Sequence, residues 1–181
     1  MTEKPDAAAI DRLIHEVSEQ QQRLQLPRFD NDDAWRLGVR LVETGRARGL
    51  PITVDIRRFG HQLFHASLPG TAPDNDSWVE RKSRVVQRFG APSFLVGLRA
   101  RRNGGSFEQD SGLPVQEYAA HGGSFPITVL AVGIVGTVTV SGLPQEQDHA
   151  LVVEALEAFL ADQLAARPAG AGDDDVVPAG A

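Results

Sequence analysis

The chain has 181 residues, 41% of them hydrophobic, no cysteine and a formal net charge of −6. These values exclude disulfide and thiolate chemistry, and no apolar run approaches the ~20 residues of a membrane helix. The negative charge argues against a general nucleic-acid binder, whose surplus Lys and Arg would neutralise phosphates.

The opening MTEKPDAAAI lacks a basic-then-apolar leader pattern, so a cytoplasmic globular domain is expected. Residues 7–24 place Ile10, Leu13, Ile14, Val17 and Leu24 at helical spacing, with Gln20 and Gln21 narrowing the stripe. This predicts an N-terminal amphipathic helix ending by Pro27, which clamps onto the body or a neighbouring subunit. Asp30, Asn31 and Asp32 are cap candidates for a second helix with Trp35, Gly38, Val39, Val42 and Gly45 turned inward. Gly49, Leu50 and Pro51 end it.

Residues 52–56 alternate as a half-buried strand, Gly60 turns the chain, and residues 61–66 return as the other half of a hairpin. Pro73 and Asp74-Asn75-Asp76 open a third helix reaching Phe89, with Ser77 and Glu80 spaced for a capping box. Residues 94–100 read as a further strand, 101–112 as a mobile connection, and 113–120 as a short helix started by Pro114. The chain is organised around residues 121–156, where Gly122 and Gly123 precede a predicted hairpin of strands 125–131 and 134–140. The loop SGLPQ then enters a last amphipathic helix. Five strands interrupted by helices indicate an α+β fold with an antiparallel sheet packed with helices. The expected division is an N-terminal helical extension (1–29), one domain (30–164) and a disordered acidic tail (165–181).

One charge stands where the helical period wants an apolar residue. Lys82 lies about 40 degrees from Trp78 on the wheel, among Val85, Val86 and Phe89, and an unpaired buried ammonium costs several kcal/mol. Asp148 shares a side of the last helix with Val152, Ala155 and Phe159, so a pair between Asp148 and Lys82 or Arg81 is expected. The alternative has Lys82 snorkelling at the stripe's edge while Asp148 caps its helix.

Among five histidines, His65 and His121 flank loops and are the candidates for a ligand or metal. His61 and His65 would stand roughly 13 Å apart on a strand, too far to share one ion, and no HxH or HExxH spacing occurs. The turn Ser141-Gly142-Leu143-Pro144 could offer backbone N–H groups to an anion or serve as a plain turn.

The motifs DIRR (55–58), LPGTAPDNDSWVERKSRVVQRFG (68–90), HGGSFPI (121–127) and VSGLPQEQDHALV (140–152) together resemble the haem-degrading domain proteins. The last two are also similar to the wider group of GlcG-like and haem-binding secreted proteins. The resemblance implies an α/β sandwich with a central antiparallel sheet, a homo-oligomer, and haem or tetrapyrrole as ligand. It would make His65 or His121 the iron ligand and set Arg57, Arg81 or Lys82 against carboxylates. The expected function is binding, with haem degradation as a further step, of haem or another small anionic ligand near His65, Arg81, Lys82, His121 and Asp148. The alternative is a non-enzymatic oligomeric interaction module, in which the Lys82–Asp148 pair is architecture.

Overall fold

Alternation in two strands decides the layout. Residues 53–57 read Thr-Val-Asp-Ile-Arg and residues 137–141 read Thr-Val-Thr-Val-Ser, so successive side chains go to opposite faces of one sheet. Val54, Ile56, Val138 and Val140 join Phe125 and Ile127 in the main apolar core. Thr53, Asp55, Thr137, Thr139 and Ser141 take the other face and are buried as well. A sheet covered on both faces needs helices on both.

The computed structural model describes residues 7–166, so the tail expected from 165 onward lies, from 167, outside the described residues. In chain order the elements are α1 (Ala7–Arg23), β1 (Gln25–Leu26), α2 (Asn31–Ala47), β2 (Thr53–Arg58), β3 (His61–Ser67) and α3 (Asp74–Phe89). They continue with α4 (Ser93–Arg102), α5 (Phe107–Ser111), β4 (Ser124–Val129), β5 (Gly133–Ser141) and α6 (Gln145–Ala165). The five strands lie in the order β1-β4-β5-β2-β3.

Leu37 and Leu41 of α2 and Leu151, Val152 and Leu156 of α6 close the apolar face. α3 lies over the polar face against β4, β5 and β2. α1 packs on α4, with Ile10 and Val17 meeting Phe94, Leu95 and Leu98. The two glutamines that narrowed its stripe tie it down. Gln20 Oε1 lies 2.8 Å from His149 Nε2, and Gln21 donates to Gly90 O at 2.7 Å. No helix among the described residues is long and apolar enough to cross a membrane.

The α+β architecture is as expected, with these corrections. The sheet is mixed: β1, two residues long, pairs parallel with β4, while the remaining pairs are antiparallel. Residues 94–100, expected as a strand, are helix α4. A short apolar run fits either period, and here Phe94, Leu95 and Leu98 share one helical side. Arg99, Arg101 and Arg102 suit the negative end of the helix. The stretch expected to be a mobile connection is the end of α4 and the short α5, which Ser106 caps through Gln109 N.

Residues 113–120 form a turn on Pro114 O instead of a helix, because Ala119 N is taken by Arg81 O at 3.2 Å and the chain must extend into β4. α3 starts at Asp74 behind Pro73 without a side-chain cap, so the Ser77 box does not form. On α2 the buried stripe runs through Ala34, Leu37, Leu41 and Gly45. That rotation leaves Trp35 63% exposed, edge-on to Phe64.

Candidate functional site

The site forms where α3, the 119–123 segment and the start of α6 converge at one end of the sheet. Trp78 and Lys82 are four residues apart on α3 and so share its inward side. Trp78 donates its indole N–H to Asp74 Oδ2 at 3.1 Å and is flanked by two candidates. The Arg81 guanidinium lies 4.4 Å from the ring centroid, and the His121 ring meets Trp78 edge-on at 5.3 Å.

Lys82, 3% exposed, donates to Asp148 Oδ2 at 2.8 Å and to Val140 O at 3.2 Å. Asp148, 1% exposed, accepts Leu143 N on its other oxygen at 3.0 Å. Of the two alternatives posed from the sequence the ion pair is the one made; α6 has no side-chain cap, and the second Asp148 oxygen instead holds Leu143 N in the loop ahead of the helix. Pro144 brings no capping side chain to α6, which explains why an acid in its first turn reaches back. Burial pulls the Lys82 ammonium below its ordinary range and pushes the Asp148 carboxyl above its own, while the attraction of each for the other opposes both shifts.

Glycine makes the crossing possible. Gly123 has φ +122, and a Cβ there would sit 2.8 Å from Lys82 Nζ and 3.0 Å from Asp148 Cβ. A Cβ on Gly122 would run into Gln145 O of α6. The two glycines, placed by the sequence at the entry to a hairpin, let α6 begin against the segment carrying His121.

Trp78, Lys82, His121, Ser141, Gln145 and Asp148 line a cleft of about 250 Å³, with Asp74 and Asn75 at the opening turn of α3. His121 is half-buried, and its ring makes no hydrogen bond among the described residues; Nδ1 is buried without a partner. Burial first, then the nearby Lys82, Arg81 and Arg101 charges, hold its pKa below the usual imidazole range, against an opposing pull from Glu108. The lowered pKa favours the neutral ring, the form that donates a lone pair to a metal.

Of the other candidates, Arg81 reaches the site through Trp78 and does not itself line the cleft. His65 is apart from it. On β3 its Nδ1 lies 3.0 Å from Asp55 Oδ2 and its Nε2 3.4 Å from Asp76. The buried Asp55 also accepts from Gln62 and Arg57, so Arg57 is committed there. No group of three or more His, Cys, Asp or Glu among the described residues could hold a metal ion.

From the sequence Trp78 served only as a reference point on the helical wheel and Asn75 only as part of a helix start, while Gln145 and Ser93 gave no signal. The spacing of Trp78 to Lys82 carried the signal for the first, whereas Ser93 sat at the edge of a supposed strand. A larger open groove of about 720 Å³ lies between α2 and α6. It has no histidine, and Arg28, Arg36 and Arg40 in it are paired with Asp30, Asp33 and Asp162. Size alone favours that groove; the free imidazole and the buried pair favour the smaller cleft.

Comparison with known proteins gives this chain a family. A UPF0303 protein of Streptomyces coelicolor is 60% identical over 149 residues, 82% of this chain and 94% of the relative. The crystal structure of Ybr137w protein superposes with a TM-score of 0.78 at 31% identity, covering 88% of this chain and 97% of that one. The crystal structure of a PduOC:Heme complex shares the fold, with a TM-score of 0.61 at 18% identity over 72% of this chain and 94% of the other. The profile described as "Haem degrading protein HbpS-like" matches residues 29–157, and the chain belongs to that family.

Proposed function

We propose that this protein binds haem or a related small anionic ligand at the cleft between α3, the His121 segment and the start of α6. The observation that carries the reading is the His121 imidazole: favoured in its neutral form, without a hydrogen bond, and at the wall of a cleft. The family description and the haem complex of a protein of the same fold support it.

At about 250 Å³ the cleft is just below the ~300–1,000 Å³ usual for drug-sized ligands, so it suits a smaller molecule or one edge of a macrocycle. In this reading His121 holds the iron, Trp78 gives a flat apolar wall, and Arg81 meets a carboxylate from its stacked position. Iron, when bound, supplies the redox and oxygen chemistry. Lys82 and Asp148 fix the two helices that form the walls. His65, held by Asp55, stands outside this cleft and is not needed as a ligand.

Titrating ferric haem into the protein and following the Soret band tests the reading. A saturable shift, lost in His121→Ala and kept in His65→Ala, is expected. A spectrum that stays that of free haem sinks it. Adding a reductant to the complex and following loss of the Soret band tests degradation.

A second reading, an oligomeric interaction module in the cytoplasm, rests on the exposed hairpin tips. Phe59 and Val132 are 63% and 71% exposed, and Phe59 and Ala131 hold φ of 51 and 60, a region bulky side chains rarely adopt. Such tips suit a second copy of the chain. If Phe59→Ser and Val132→Ser leave the mass in solution unchanged, the tips are not an interface.

A further inference from the structure

The His121 ring is free, yet the backbone that carries it is fastened from several sides. Ala119 N donates to Arg81 O at 3.2 Å, and Gly122 N to Gln145 Oε1 at 3.4 Å. Gly97 of α4 has no side chain where Ala120 O would meet it. The tightest fastening is a single hydroxyl. Ser93, fully buried in the first turn of α4, donates to His121 O at 2.5 Å, with Ser124 O a second acceptor at 3.2 Å. It also accepts Ser124 N at 3.1 Å.

Serine at a helix start usually turns its hydroxyl to its own helix. Here Pro92 precedes it, α4 has no side-chain cap, and Ser93 Oγ instead bridges the two sides of the Gly122-Gly123 pair. Glycine is the most permissive residue, so a two-glycine segment without an external tie would let the residue before it wander. Ser124 Oγ extends the same polar layer to Thr139 Oγ1 at 2.8 Å, anchoring the tie in the sheet.

We infer that Ser93 is a positioning residue for His121, its hydroxyl holding the backbone around the glycine pair so that an imidazole with no hydrogen bond of its own keeps one place against Trp78. The inference rests on the proposed binding reading for its purpose, but its geometry can be tested without a ligand. The placement is a form of preorganisation, which conserves affinity by removing conformations that binding would otherwise have to suppress.

The test uses the full chain with Ser93→Ala, Ser93→Thr as hydroxyl rescue, and Ser93→Cys should the alanine variant fail to fold. In ferric-haem titrations Ser93→Ala is expected to bind about tenfold more weakly, because binding must then re-order the loosened His121 backbone, and Ser93→Thr to recover most of it. The ligand-free readout is the NMR position of the His121 ring protons, which the neighbouring Trp78 ring displaces. Those signals should move in Ser93→Ala or Ser93→Cys and return in Ser93→Thr.

Unmoved His121 signals in a folded variant lacking the hydroxyl overturn the inference, as does wild-type affinity in such a variant. If wild-type protein binds no haem, the binding reading fails alone and the ring-proton comparison still decides the role of Ser93. A lowered melting temperature by itself does not count in favour, because losing buried hydrogen bonds lowers it in either case.

Discussion

Lys82 and Asp148 meet at 2.8 Å across the gap left by Gly123, joining the middle of α3 to the first turn of α6. Both are almost wholly buried, and removing one member of such a pair strands a charge, at a cost of about 3–5 kcal/mol. Lys82→Met should therefore lose stability in that range by urea unfolding. Lys82→Met combined with Asp148→Asn should lose less than Lys82→Met alone, because Asn still accepts Leu143 N and no charge is left unpaired. Strictly additive losses would mean that the two residues are not energetically coupled.

Gly123→Ala meets two obstacles, a left-handed backbone and the Lys82–Asp148 contact, along with Val140 O in the Cβ direction. Gly104→Ala meets only the first, since φ there is +83 and nothing lies within 4 Å of the added carbon. Backbone strain of this kind costs about 1–3 kcal/mol, so Gly104→Ala should fall in that range and Gly123→Ala beyond it. Equal losses in chemical denaturation would show that the contact at Gly123 relaxes freely.

The two tryptophans should separate in the same way. Trp78→Ala removes the Arg81 stack and the His121 edge contact, worth about 0.5–1.5 kcal/mol for an aromatic pair beyond area, and should weaken haem binding more than it weakens the fold. Trp35→Ala removes a largely exposed ring and should leave haem binding unchanged. A haem affinity in Trp78→Ala equal to that of the wild type would take this wall out of the site.

What the sequence carried, and what it hid, follows from the range of each signal. A charge inside an apolar helical stripe is local, and so Lys82 and Asp148 stood out from the period, while the choice of Lys82 over Arg81 as the partner of Asp148 needed the fold. The hairpin 124–141 was equally plain, because β-branched residues between glycines have few other uses. β1 was not legible: two residues have no period, and only parallel pairing with β4 makes Gln25–Leu26 a strand. α4 was not legible as a helix because the short, mostly apolar stretch FLVGLRA fits strand and helix alike. With α4 misplaced, its contacts with the His121 segment through Ser93 and Gly97 could not be seen. His65, expected to flank a loop, sits within β3, where Asp55, opposite it in the sheet register, claims its ring.

His149 gives the fold a pH dependence that can be located. Its ring is buried between Phe94 and Phe125, Nε2 lies 2.8 Å from Gln20 Oε1 of α1, and Nδ1 has no partner among the described residues. Burial lowers its pKa from 6.5 to about 4. The native state therefore binds fewer protons than the unfolded chain between those values. The stabilisation is complete above pH 6.5, declines as pH falls through the window, and is gone below about 4. A fall from 6.5 to about 4 corresponds to roughly 3–4 kcal/mol at ~1.36 kcal/mol per pH unit. Asp148 has its carboxyl raised, the opposite sign, so stability it contributes through that shift is lost as pH rises and cannot produce the same slope. Urea unfolding at pH 7.0, 6.0 and 5.0 should show stability falling with pH, and His149→Gln should reduce the fall while costing stability at pH 7, leaving the smaller slope of the same sign that the lowered pKa of His121 contributes. An unchanged slope in His149→Gln would assign the acid sensitivity elsewhere. Because Gln20 belongs to α1, amide exchange in residues 7–23 should rise before exchange in β4 and β5, placing the first acid-induced opening at the α1 contact.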